Sequence, residues 1–162
     1  MTSAKSTLAL MAAGVAATCV AGAATTTHAA ADVAPPCKIT DFTTSLGPVQ
    51  AGAGQRYSTL DFTAYGGRTC VLSDDLTNFQ FLGAQGRPLP TDAVAPGSST
   101  AITIAPGVVG HLDLHWTVVG GTPFVPVSLI FTMPADDGTN AAPWTGGPVN
   151  GAGRIDVGPL HA

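Results

Sequence analysis

Within VVGHLDLHWTVV, residues 108–119, two imidazoles flank a carboxylate at alternate positions: His111, Asp113 and His115. Imidazole and carboxylate together could ligate a transition metal or hold a proton for hydrolysis. In an extended chain the three share one face, opposite Leu112, Leu114 and Trp116. Geometry works against a single centre, because four residues of strand separate His111 from His115 by about 13 Å, whereas zinc holds its ligands at about 2 Å. A solvated sheet face is the preferred reading; a metal-binding protein or hydrolase using His111, Asp113 and His115 is the alternative.

The other polar groupings point to structure. Cys70 is followed by Asp74 and Asp75, and a second acidic pair, Asp136-Asp137, precedes Gly138. Hard cations favour clustered carboxylates, but neither pair has calcium-loop spacing, and the chain contains no Glu to close such a loop. Asp readily caps turns through its own side chain. No G-x-S-x-G elbow occurs, and Ser98-Ser99 lies in a Pro-Gly-Ser-Ser run with no His nearby in sequence. The long segment PADDGTNAAPWTGGPV carries Trp144, which is either a binding residue on an exposed loop or a packed edge cover.

Whether Cys70 is reactive depends on the compartment. Residues 1–31 have the form of an export signal: Lys5 at the start, an apolar stretch from Leu8 to Ala24, then small residues with cleavage expected after Ala29 or Ala31. Retention of this stretch as a membrane anchor is the competing reading, although it is short for a bilayer span. Lipidation at Cys19 fits less well, since Ala16-Ala17-Thr18 lacks the branched apolar residue expected ahead of a lipidated cysteine. Beyond the leader, Cys37 and Cys70 remain, and a pair of cysteines in an exported chain most simply forms a disulfide. A catalytic thiol would need a basic neighbour, and Arg68 is the only one close in sequence.

Composition narrows the partners. Without Lys5, five basic residues face ten acidic ones, a formal charge of 5 − 10 = −5. Nucleic acid and anionic membrane surfaces, which need clustered Lys and Arg, are therefore not expected partners. Residues 32–162 are enough for one domain with a real core.

Strand signals recur along residues 32–162. In RYSTLDFTAY, residues 56–65, Leu60, Phe62 and Ala64 alternate with Thr59, Asp61 and Thr63, and Gly66-Gly67 then turns the chain. Cys70 and Leu72 share a face that is expected to point inward. Further strands are expected over 38–45, 78–83, 101–105, 108–119, 127–133 and 153–160, and no window shows a helical stripe. About seven or eight short strands at this spacing suit an all-β, immunoglobulin-like antiparallel β-sandwich.

These residues also resemble a known family. The exported leader, the first Cys, FTAYGGRTCVLSDDLTNFQFLGAQGRPL, ITIAPGVVGHLDLHW and the closing IDVGPL are similar to the actinobacterial family called domain of unknown function 4232. The resemblance covers nearly all of residues 37–160. It implies an exported or lipid-anchored envelope protein with an immunoglobulin-like sandwich, places Cys37 and Cys70 at the family's first cysteine pair, and supplies no catalytic residues. A second cysteine pair common in relatives is absent from TPFVPVSLIFTMP.

The resulting expectation is a signal peptide over 1–31 and a single β-sandwich domain over 32–162. The domain is expected to be secreted or to reside in the cell envelope, bridged by Cys37 and Cys70. It is expected to act as a monomeric, non-catalytic binding or structural module with no cofactor, no membrane span after cleavage and an extracellular or envelope ligand.

Overall fold

A computed structural model describes residues 33–94, 100–133, 138–150 and 154–162. The leader, Ser98-Ser99 and Asp136-Asp137 lie outside the described residues. The strands are β1 (Phe42–Leu46), β2 (Gln50–Gly52), β3 (Gln55–Ala64), β4 (Cys70–Ser73), β5 (Thr77–Leu82), β6 (Asp92–Val94), β7 (Ala101–Ile104), β8 (Val109–Thr117), β9 (Ser128–Met133), β10 (Gly138–Pro143) and β11 (Arg154–His161). A single 3-10 turn, Ala84–Gly86, interrupts them, and no α-helix occurs among the described residues. The protein is all-β. None of the described residues forms a helix long and apolar enough to cross a membrane.

All eight expected strands are present, and three more join them. β2 lies in GPVQAGAGQ, β6 precedes the Pro-Gly-Ser-rich stretch, and β10 occupies part of the segment expected to be a long loop. Each is short or poor in β-branched residues, so its extended form is dictated by the neighbour it pairs with. The strand expected at 38–45 starts only at Phe42. Ahead of it the Lys38 N–H donates to the Asp41 side chain at 2.9 Å, and the Asp41 N–H donates to the Lys38 carbonyl at 2.9 Å.

The largest sheet has the order β1-β3-β8-β11-β6, with β2 added to β3. β8 is its centre, paired antiparallel with β3 from Gln55↔Thr117 to Thr63↔Val109 and antiparallel with β11. β6 pairs parallel with β11, a departure from the purely antiparallel expectation. β10-β9-β5 forms a second sheet and β4-β7 a two-stranded ribbon.

Alternation sends Leu60 and Phe62 of β3, Leu112, Leu114 and Trp116 of β8, and Ile155, Val157 and Leu160 of β11 into one core. Phe79 and Phe81 of β5 and Leu129, Phe131 and Met133 of β9 enter it from the second sheet, and Cys70, Leu72 and Ile104 from the ribbon. Two aromatic tracks join the large sheet to the second. Phe42 meets Phe62, Phe62 meets Phe131 and Phe131 meets Phe79 at ring separations of 5.5, 5.8 and 5.8 Å. Trp116 meets Trp144 at 4.8 Å, and Trp144 meets Phe81 at 4.5 Å.

Asp41 fastens the chain on either side of β1 and β3. Its carbonyl accepts the Tyr65 N–H at 2.8 Å, and its buried carboxylate lies 3.1 Å from the Arg68 guanidinium in the following turn. That turn uses Gly66 and Gly67 at φ 61° and 77°, a region that costs a side chain energy. Asp41→Ala is expected to lower stability by about 1–3 kcal/mol, because it leaves a part-buried Lys38 amide without its acceptor. Urea unfolding of the variant checks this.

Candidate functional site: the outer face of β3, β8 and β11

Register places the polar residues of three neighbouring strands in cross-strand rows on the face opposite the core. One row is Tyr57, His115 and Asp156; the next is Thr59 and Asp113; the third is Asp61, His111 and His161. Successive outward positions on β8 lie about 7 Å apart, so each residue meets its own row directly and only a longer side chain reaches the next.

In the first row the Tyr57 and His115 rings stack with centroids 4.5 Å apart and planes 10° from parallel. His115 Nε2 bonds Gln55 Oε1 at 2.7 Å, and its Nδ1 lies 3.4 Å from Asp156 Oδ2. Asp156 also accepts from Arg154 Nε at 2.5 Å. The two nitrogens of His115 thus face different neighbours, Gln55 one outward position along β3 from the row and Asp156 within it.

The third row is arranged differently. His111 Nδ1 meets Asp61 Oδ1 at 2.8 Å, and the His111 ring lies 5.5 Å from that of His161, its direct partner on β11. His161 Nε2 reaches diagonally to Asp113 Oδ1 at 3.3 Å. Each of these two imidazoles has one nitrogen held by a carboxylate.

Beside the first row lies a hollow of about 410 Å³ over Asp113, bordered by Tyr57, His115, Asp156 and Gly158. Its cause is a β-bulge. The pairing of β11 with β8 slips between Val157 and Leu160, at Gly158-Pro159, where a proline without an N–H can be accommodated. Gly158 has no side chain to fill the space, and a Cβ there would stand 2.8 Å from that of Asp113. The closing motif IDVGPL therefore shapes the face as well as the strand.

The sequence trio does not act as one group. His111 turns to Asp61, Asp113 to His161, and His115 to Gln55 and Asp156. Among the described residues, no three His, Cys, Asp or Glu side chains gather where one metal ion could sit. Tyr57, Asp61, Asp156 and His161 were absent from the sequence-derived candidates. The strand pattern put Asp61 on the outer face, but only cross-strand register says which residues meet.

The remaining candidates sit elsewhere. Trp144 is 7% exposed, and its Nε1–H donates to the Gly147 carbonyl at 2.8 Å, so its ring belongs to the core and offers no binding surface. Of the two readings of Trp144, binding residue or packed cover, the geometry matches the packed cover: β10 and the turn after it draw the indole between Phe81 and Trp116. Cys37 and Cys70 are joined by a disulfide. The segment before Cys37 runs beside β4, with the Cys37 N–H donating to the Val71 carbonyl and the Val71 N–H to the Pro35 carbonyl, each at 2.8 Å. Both half-cystines are 1% exposed, which removes Cys70 as an accessible thiol. Asp74 is buried beside its bend, and its N–H donates to the Thr100 carbonyl at 2.9 Å.

No curated protein and no solved structure matches the chain. A family model does match, over residues 37–161, from the first half-cystine to the end of β11. The span takes in the bridge, every strand among the described residues and the bulge motif, and the chain belongs to the family described as domain of unknown function 4232.

Proposed function

We propose that the protein is an exported, non-catalytic binding module of immunoglobulin-like sandwich architecture, working in the cell envelope or outside the cell. The observation that carries this reading is the buried Cys37–Cys70 bridge, since stable disulfides belong to oxidising compartments. The leader pattern of residues 1–31 agrees with it. The sandwich reading is supported by the aromatic contacts that join the inner faces of the two larger sheets.

Binding is assigned to the hollow over Asp113. Tyr57, 49% exposed, offers a flat ring, and Asp113 and Asp156 offer acceptors on either side. A ring beside hydrogen-bonding groups in a concavity suits a small polar ligand with one apolar surface. The imidazoles on the same face are tied to acidic and amide neighbours of the sheet, an arrangement that orients side chains.

Intact mass of protein recovered from the medium and the envelope of an expressing actinobacterium tests export and bridging together. The expected species begins at Ala30 or Asp32 and gains about two mass units on reduction. A species that keeps the leader, or that carries free thiols, overturns the reading.

A further inference from the structure

We infer that His111 and His161 form a two-imidazole site for a late first-row divalent cation, of which zinc is the type. The pair is cross-strand: His111 on β8 and His161 on β11 are register partners on the outer face, and their ring centres are 5.5 Å apart. A metal about 2.1 Å from each ligating nitrogen stands about 3.2 Å from each ring centre, so tetrahedral coordination separates the two centres by about 5.2 Å. The observed spacing is within a few tenths of an ångström of that value, a difference that rotation about the side-chain bonds can absorb.

The carboxylates give the second argument. A carboxylate facing an imidazole accepts its N–H, which fixes the proton on the facing nitrogen and leaves a lone pair on the other. Asp61 faces His111 Nδ1 at 2.8 Å, so Nε2 carries the lone pair. Asp113 faces His161 Nε2 at 3.3 Å, so Nδ1 carries it. Metal-bound histidines almost always donate their other N–H to a carboxylate or carbonyl in this way, and the partner raises the basicity of the ligating nitrogen. Here both members of a facing pair have that partner.

His115 is the internal contrast. It sits on the same strand and the same face, yet one of its ring nitrogens bonds Gln55 and the other lies beside Asp156, and its cross-strand partners are Tyr57 and Asp156, so neither nitrogen faces a second imidazole. The site is therefore different from the His111, Asp113 and His115 grouping suggested by sequence spacing. Two protein ligands leave the remaining positions to water. Imidazole nitrogens favour zinc, nickel and copper over magnesium and calcium, which take oxygen ligands. The side chains of His111 and His161 are 34% and 49% exposed, so an ion reaches them from solvent.

The test is titration of the purified full chain with zinc chloride, with magnesium chloride in parallel, followed by calorimetry and by nitrogen-15 NMR of the histidine rings. The expected result is a zinc-dependent shift of His111 Nε2 and His161 Nδ1 with no response of the His115 nitrogens. His111→Asn and His161→Asn should each weaken zinc at least about tenfold, and Asp61→Asn about tenfold through loss of orientation. His115→Asn should leave the affinity unchanged. The proposal is overturned if zinc shifts only His28 or His115, if affinity survives both His111→Asn and His161→Asn, or if magnesium competes equally. All four substituted side chains are partly exposed, and a circular dichroism spectrum of each variant confirms that the sheet is retained.

Discussion

Replacing Cys37 and Cys70 by Ala is expected to lower the stability of the folded chain by about 3–4 kcal/mol, because the bridge closes a loop of about 34 residues in the unfolded state. The sequence separation of 33 sets that loop. The closed segment contains β1, β2 and β3, so the bridge limits the freedom of the first half of the large sheet before any strand pairs. A native-state contribution adds to this. Both sulfurs are buried with Leu72 and Ile104 in the core, and the segment before Cys37 holds the edge of β4 through two backbone hydrogen bonds. Loss of the bridge frees that segment and opens a β4 edge to water or to another chain. Thermal unfolding should show the midpoint falling by roughly 10 °C for a domain of this size. A double variant as stable as the parent would show that the unfolded chain is already compact around the cysteines, and the entropic argument would fail.

Trp144→Ala is expected to cost about 3–5 kcal/mol, the range for removing a buried aromatic ring. The indole bridges Phe81 of β5 and Trp116 of β8, which belong to different sheets, so truncation opens a void between layers. It also removes the donor to the Gly147 carbonyl. A neighbouring substitution gives a second reading of the same contact. At Gly146 a Cβ would stand 2.5 and 2.7 Å from Trp144 ring atoms and 2.9 Å from the Trp116 ring. Rigid rings cannot yield as a flexible side-chain tip does, and Gly146→Ala should cost about 1–3 kcal/mol. Denaturant unfolding followed by tryptophan fluorescence checks both, since the chain has two Trp and both are buried. Unchanged stability of Trp144→Ala would return the residue to the surface and reopen a binding role.

Strand positions were readable wherever the pattern was strong. Leu60 and Phe62 against Thr59 and Asp61, and Leu112, Leu114 and Trp116 against His111, Asp113 and His115, alternate without interruption, and those strands occur as expected. β2, β6 and β10 escaped because Gln50–Gly52, Asp92–Val94 and Gly138–Pro143 contain little that favours an extended chain. Their form comes from backbone pairing with β3, β11 and β9.

The site divides in the same way. Alternation alone put His111, Asp113 and His115 on one face, and rise per residue alone argued that His111 and His115 could not share an ion. Sequence determined the all-β character, the inward pairing of Cys70 with Leu72 and the polar character of the β8 face, because these depend on period-two order within one strand. Only tertiary structure decided that His111 meets Asp61 and His161, that Trp144 lies between two sheets, and that the Gly158-Pro159 bulge opens a hollow over Asp113. The physical reason is register: a slip of one residue between strands changes every partner on a face while leaving each strand's own pattern untouched.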